Sequence, residues 1–277
     1  MTFDMSRTWS EALGLTRANF QILAVIAGVF LLLPGILFYV AAPDLAALSA
    51  PGADAEAISA AIAEHAVPIV TFGLLSFILG HIAYMAMVAL MGGDRPTVAQ
   101  ALRLAVRSLP TLIGAFLTFI IGYVLSFTIV ALVIGLLAGM LGLGESGPLG
   151  FAVATLILLA TAYVITRLSL TLPTIVLKGQ RNPMKALATS WRLTKPHVWK
   201  MLAFFILLVI PYIVLSIVLG FIFGLPLALA GPEIETFGLG LVNGLLGALV
   251  GIVFSGILVS MYAQMAGAVK GSRQPAD

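Results

Sequence analysis

Apolar residues run almost unbroken through six stretches of the chain, at about 20–42, 67–91, 109–142, 149–177, 198–230 and 237–269, with polar positions gathered between them. Each run is long enough for a helix to cross a hydrocarbon core about 30 Å thick, which takes roughly 20 residues. The pattern predicts six transmembrane helices. The third and fifth runs are too long for one upright crossing and too short for two with a turn, so each is expected as one helix that tilts, kinks or projects. Pro211 and Pro226 are the candidate kink sites in the fifth, because proline removes a backbone donor and crowds the preceding turn.

A second pattern precedes each odd-numbered run. Thr8-Trp-Ser-Glu-Ala12-Leu13, Thr97-Val-Ala-Gln-Ala101-Leu102 and Asn182-Pro-Met-Lys-Ala186-Leu187 each read as a helix start followed by Ala-Leu. The first two are capping boxes, with Glu11 or Gln100 three residues after Thr; the third pairs an Asn cap with Pro at the first helical position. Apolar positions then recur at helical spacing, as in Val98, Ala101, Leu102, Ala105 and Leu109, or Met184, Leu187, Ala188 and Trp191, while Arg103, Arg107, Lys185 and Arg192 fall elsewhere. Such segments are expected as helices in the cytoplasmic interface, basic groups toward anionic lipid. Each even-numbered run closes on G-x-R, at Gly93–Arg95, Gly179–Arg181 and Gly271–Arg273. Glycine there can take the left-handed conformation that ends a helix, and the arginine falls at headgroup level.

Together these signals predict an all-α polytopic membrane protein: a single membrane domain over 1–277, built as three same-orientation helical hairpins (repeats 1–95, 96–181 and 182–273), each preceded by a cytoplasmic interfacial helix.

Composition agrees, at 61% hydrophobic and 9% charged, against about 25% charged in soluble domains. The distribution of charge adds orientation. Connections at about 43–66, 143–148 and 231–236 hold Asp44, Asp54, Glu56, Glu64, Glu145, Glu233 and Glu235 but no Lys or Arg; the basic residues lie on the other side, with Arg167 inside the fourth run. Positive loops stay inside, which predicts a multi-pass protein of a bacterial inner membrane with both termini cytoplasmic. The run at 20–42 exceeds a signal peptide's apolar region and reads as an uncleaved first span. The net charge of +3, placed at that face, points to anionic lipid headgroups as partners rather than nucleic acid; a protein partner stays open.

Arg167 is the costliest residue, since an ionised group in a span marks a cavity, a partner or a side chain that snorkels to the interface. His81 holds the matching place in the first repeat, as a second polar group or as a neutral imidazole bonded to a carbonyl. Asn243 and Gln264 are candidates for hydrogen bonds between helices, and Gly240, Gly244, Gly247 and Gly251 for close helix approach. Loop 142–147 fits both G-x-G-x-x-G and G-x-S-G, yet it has no preceding strand, and the only later histidine, His197, falls on the opposite, cytoplasmic side, so neither dinucleotide binding nor serine proteolysis follows. His65, His81 and His197 are scattered, cysteine is absent, and no phosphate-cradling G-x-x-x-x-G-K-[ST] occurs. No metal, cofactor or catalytic residue is expected.

Arg167-Leu-Ser-Leu-Thr-Leu-Pro173, Lys178-Gly179 and Ala186-Leu187-Ala-Thr-Ser190-Trp191-Arg-Leu193-Thr194-Lys195 resemble the bacterial glycerophosphoryl diester phosphodiesterase membrane-domain family over about 30 residues. The resemblance implies a membrane module with no activity of its own. The fused phosphodiesterase barrel of some members has no counterpart here, so no enzymatic role follows. It singles out Arg167, Pro173, Ala186, Ser190 and Leu193, with Ser190 expected to bond a preceding-turn carbonyl. The candidate headgroup site is Arg167, His81, Arg181, Lys185, Ser190, Arg192 and Lys195. The function expected first is a non-enzymatic protein that binds or organises lipid, and second a transporter of a lipid-like or amphipathic molecule.

The charge asymmetry makes a direct prediction. Single cysteines placed by Asp54→Cys and Gln180→Cys in this cysteine-free chain should be alkylated from opposite sides of the membrane; equal labelling of both from outside would refute the orientation.

Overall fold

The computed structural model describes residues 3–41, 55–92, 96–140 and 147–271, and among them every regular element is helical. The helices are α1 (Met5–Ala27), a π turn (Gly28–Leu32), α2 (Leu33–Ala41), α3 (Ala55–Glu64), α4 (Ala66–Met91), α5 (Val98–Met140), α6 (Gly147–Leu168), α7 (Thr171–Leu177), α8 (Pro183–Thr194), a 3-10 turn (Lys195–His197), α9 (Val198–Leu229) and α10 (Pro232–Gly271). Six stretches are long and apolar enough to cross a membrane: Met5–Leu37, Ala66–Met91, Val98–Ile134, Gly150–Leu177, Pro183–Leu229 and Phe237–Gly267. The chain is therefore a multi-pass membrane protein.

Local chemistry explains several helix ends. At α5 the capping box forms in both directions, Gln100 N–H donating to Thr97 Oγ1 at 3.3 Å and Thr97 N–H to Gln100 Oε1 at 2.9 Å. At α8 the Lys185 N–H donates to Asn182 Oδ1 at 3.1 Å, with Pro183 opening the helix. Gly179 adopts φ +67 between α7 and α8. The G-x-R arginines Arg95 and Arg273, and positions 141–146 of the glycine-rich loop, lie outside the described residues.

Four expectations change. Thr8 is not a cap: α1 starts at Met5, and Glu11 instead pairs with Arg7 at 2.6 Å and accepts from Ser260 Oγ at 2.7 Å. The segments expected as separate interfacial helices before the first and third spans are continuous with those spans, the helix running on through Gly14 in α1 and Pro110 in α5. α5 alone has 43 residues, roughly 64 Å, more than twice the thickness of a hydrocarbon core. Only α8 stands as a separate helix, ended by Lys195-Pro196. The fourth span is not one helix but breaks at Ser169–Leu170. Finally, Asn243 donates to Leu239 of its own helix at 2.9 Å rather than across helices, whereas Gln264 does reach another segment, accepting from Asp4 N–H at 3.3 Å.

The chain forms two compact units, one from Met1–Met5, Pro110–Phe205 and Met261–Asp277, the other from Ser6–Leu109 and Ile206–Ser260. In the second, packing relies on small residues. Lipid tails are as apolar as leucine, so helices associate through close contact rather than hydrophobic burial. The π turn lies just ahead of Pro34, which has no N–H to give and crowds the turn before it; Leu33 N–H bonds back to Gly28 instead. Leu31 and Leu32 from this widened turn fill the space over glycines. A Cβ on Gly251 would meet Leu31 Cδ1 at 2.9 Å, and one on Gly244 would meet Leu32 Cδ1 at 2.6 Å. Around them Leu23, Ile82, Met85, Met87, Ile252 and Ile257 are buried.

Gly256 is the tightest point against backbone: a Cβ there would stand 2.9 Å from the Ala12 carbonyl oxygen, whereas Gly247 has nothing within 4 Å. Gly256→Ala should therefore destabilise by about 1–3 kcal/mol, and Gly247→Ala should leave stability unchanged or raise it by up to about 1 kcal/mol through helix propensity. Melting of the two variants in mild detergent checks this; equal shifts would overturn the packing account.

Candidate functional site

The other unit holds the arginine. α6 ends at Leu168, so its last carbonyls lose their intrahelical donors. Three hydroxyls meet that loss. Ser169 Oγ donates to the Thr166 carbonyl at 2.9 Å, and the Arg167 carbonyl accepts from Ser190 Oγ at 2.9 Å and Thr194 Oγ1 at 3.1 Å, both from α8. Ser190 and Thr194 are fully buried. Ser190 thus bonds a carbonyl on a different helix, not the preceding turn as expected; Thr194 shares its single proton between the Arg167 carbonyl and the Ser190 carbonyl, the latter at 2.9 Å. The amphipathic helix α8 is in this way bolted to the break in the fourth span.

The Arg167 side chain occupies the same junction. It is 2% exposed. Its guanidinium carbon lies 4.2 Å from the Trp191 ring centroid and 5.9 Å from that of Tyr163, whose ring in turn meets Trp191 edge-on at 6.3 Å. Desolvated cation–π contacts of this kind contribute up to about 2 kcal/mol, well below the cost of burying a charge. Nε and Nη1 have no hydrogen-bond partner among the described residues. Neither do the buried hydroxyls of Thr171 and Thr174, three residues apart and so neighbours on α7. Each is a donor that a water or an anion oxygen can satisfy.

Of the remaining candidates, Arg181, Lys185, Arg192 and Lys195 are exposed on or beside α8, together with Lys178 and Lys200. The opposite face of α8 buries Ala186, Ser190, Leu193 and Thr194. The Arg181 carbonyl accepts from Thr111 Oγ1 at 3.1 Å, which with Pro183 packed near Gly114 joins the start of α8 to α5. His81 belongs to the other unit. Its Nδ1 lies 2.7 Å from the Phe77 carbonyl, so that nitrogen carries the proton and the ring is satisfied within α4. The structure therefore brings Arg167 and Ser190 together in the unit that carries these exposed bases.

Tyr163, Thr171 and Thr174 are not among the candidates named from the sequence. Tyr163 sits four residues before Arg167 and could have been found by helical spacing. The two threonines could not, since in an unbroken helix each would bond its own i−4 carbonyl.

Because the Arg167 carbonyl has two donors, either alone can satisfy it. Ser190→Ala or Thr194→Val should each cost about 1 kcal/mol, and the double variant more than their sum by roughly 1–2 kcal/mol, because a buried carbonyl is then left bare. A double-mutant cycle of unfolding in detergent reads this, and additivity would show that the two bonds do not share one acceptor.

A family model described as a domain of unknown function, DUF7847, matches residues 4–265. No curated protein and no solved structure matches the chain.

Proposed function

We propose that this chain, which belongs to the DUF7847 family, is a non-enzymatic protein of the bacterial inner membrane that binds anionic lipid through its basic cytoplasmic segments. The observation that carries this is α8 and its flanks. Lys178, Arg181, Lys185, Arg192, Lys195 and Lys200 are all exposed, no acidic residue interrupts them, and the other face of the helix is buried. Each such base near an anionic bilayer surface contributes about 1 kcal/mol. The three-hairpin arrangement with both termini inside belongs to the same proposal and rests on charge placement and on the caps at Thr97 and Asn182. Kinship with the phosphodiesterase membrane family is likewise part of it, resting on Arg167, Pro173 and the Ala186–Leu193 residues. The Ser190 hydroxyl serves a carbonyl rather than a base, which supports the non-enzymatic reading.

One observation favours transport as a second reading. The fourth span is broken beside a buried arginine with unpartnered nitrogens, and discontinuous helices form substrate sites in many transporters.

Native mass spectrometry in mild detergent tests the first reading. Wild type should retain an anionic phospholipid, and a variant with Arg181, Lys185, Arg192 and Lys195 changed to Gln should lose it; lipid retained without headgroup preference would refute it. Arg167→Leu separates the second. If transport is correct, wild type moves a fluorescent lipid analogue across reconstituted vesicles and the variant does not, while both melt alike.

A further inference from the structure

A cleft of about 590 Å³ opens between α5 and α6, from Thr118 to Ile134 on one side and Val153 to Leu168 on the other, with Leu187 of α8 at one end. Phe119, Phe127, Leu156 and Val164 supply much of its wall. Four lining side chains carry hydroxyls, and none is free. Thr118 donates to the Gly114 carbonyl at 2.8 Å, Ser126 to Gly122 at 2.7 Å and Thr161 to Ile157 at 2.7 Å. With the Thr161 proton committed, Tyr123 OH donates to Thr161 Oγ1 at 2.7 Å, bridging the two helices. The wall therefore offers an occupant methyl groups, methylenes and ring faces, and no unmet hydrogen bond.

We infer that this cleft holds one acyl chain of an anionic phospholipid, an assignment that rests on the lipid-binding reading above and names where the lipid tail goes. Size separates the possible occupants. The cleft runs along about 24 Å of helix, and a transmembrane helix about 10 Å across covering that length would need roughly 1,900 Å³, about three times what is there. A chain of about 18 methylenes, each close to the ~30 Å³ share of one water molecule, needs roughly 540 Å³. An empty apolar gap at membrane depth would forfeit the dispersion contacts of its lining, and a polar solute would find no partner. Charge sets the headgroup end. Leu187 closes the cleft from α8, the helix that exposes Lys185, with exposed Arg181 just before it, so a tail in the cleft ends at the helix that carries cations suited to a phosphate.

The glycine at the centre supplies the test. Gly122 lines the cleft, and a Cβ there would meet nothing within 4 Å. Gly122→Phe therefore fills the cleft without forcing the helices apart, and Ala160→Phe does so from the facing wall. Gly150→Phe is the control, since Gly150 is equally open but lies outside the cleft. The full chain is reconstituted in phosphatidylcholine vesicles containing a phosphatidylglycerol with a diazirine in one acyl chain, and adducts are mapped by mass spectrometry. Adducts should concentrate on 118–134 and 153–168, fall about tenfold in both cleft-filling variants and persist in the control. Labelling spread evenly over the exposed face of α9, or unchanged in both variants, overturns the inference. So does crosslinking between chains through Gly122→Cys, which would assign the cleft to a second copy. The two readings fail separately: cleft labelling lost while anionic lipid remains bound removes the cleft alone, and cleft labelling equal for a phosphatidylcholine analogue removes the anionic reading beneath it.

Discussion

A polar group in hydrocarbon has no water to fall back on, so each must find its partner within the protein. This constraint shapes nearly every polar side chain described on the spanning helices. Thr118, Ser126, Thr155, Thr161, Ser216 and Ser255 all donate to the carbonyl one turn back, and His81 and Asn243 do the same with their ring and amide nitrogens. Against that background the junction at Arg167 differs in kind. There a helix end frees a carbonyl that two hydroxyls of another helix must satisfy, while part of the guanidinium and two threonine hydroxyls find no partner among the described residues.

The two units meet the constraint differently. In one, glycines on α4 and α10 allow leucines of the π turn to sit close to neighbouring backbone, and the C-terminal half of α4 is buried on nearly all sides, from Ile82 to Met91. In the other, α5 and α6 leave a cleft between 118–134 and 153–168, joined across it by the Tyr123–Thr161 bridge, and α8 closes one end. The glycine-packed unit makes its close contacts within itself. The proposed lipid would bring a tail to the apolar cleft of the other unit and a phosphate to its basic amphipathic helix.

Why the junction escaped the sequence is a matter of what an apolar run can encode. Ser169 and Leu170 are ordinary residues in a span, and nothing in Arg-Leu-Ser-Leu-Thr-Leu announces that the helix stops there. The break holds because Ser190 and Thr194 arrive from another helix to satisfy the freed carbonyl, and that arrival is a tertiary event. The π turn is similar: Pro34 is visible, but whether a helix kinks, breaks or widens beside it depends on whether glycines elsewhere leave room for Leu31 and Leu32. Thr8 misled for the opposite reason. Its capping-box spacing to Glu11 is real, yet Glu11 is held by Arg7 and Ser260, and the helix had already started at Met5.

The sequence by itself determined the helical class, the six spanning stretches, the caps at Thr97 and Asn182 and the left-handed Gly179. These follow from hydrophobic length and from interactions among residues three or four apart, which any chain carries locally. It also placed Arg167 and Ser190 among the residues of interest, from the cost of a charge in a span and from the resemblance around them. Only the tertiary structure decided that these two meet, that His81 is satisfied alone, that Tyr163 and Trp191 face the guanidinium, and that a cleft remains between α5 and α6. Each depends on how distant segments fit together. In an environment where lipid and leucine are equally apolar, that fit is set by the shapes of small and large side chains and by a few buried hydrogen bonds, not by the hydrophobic pattern along the chain.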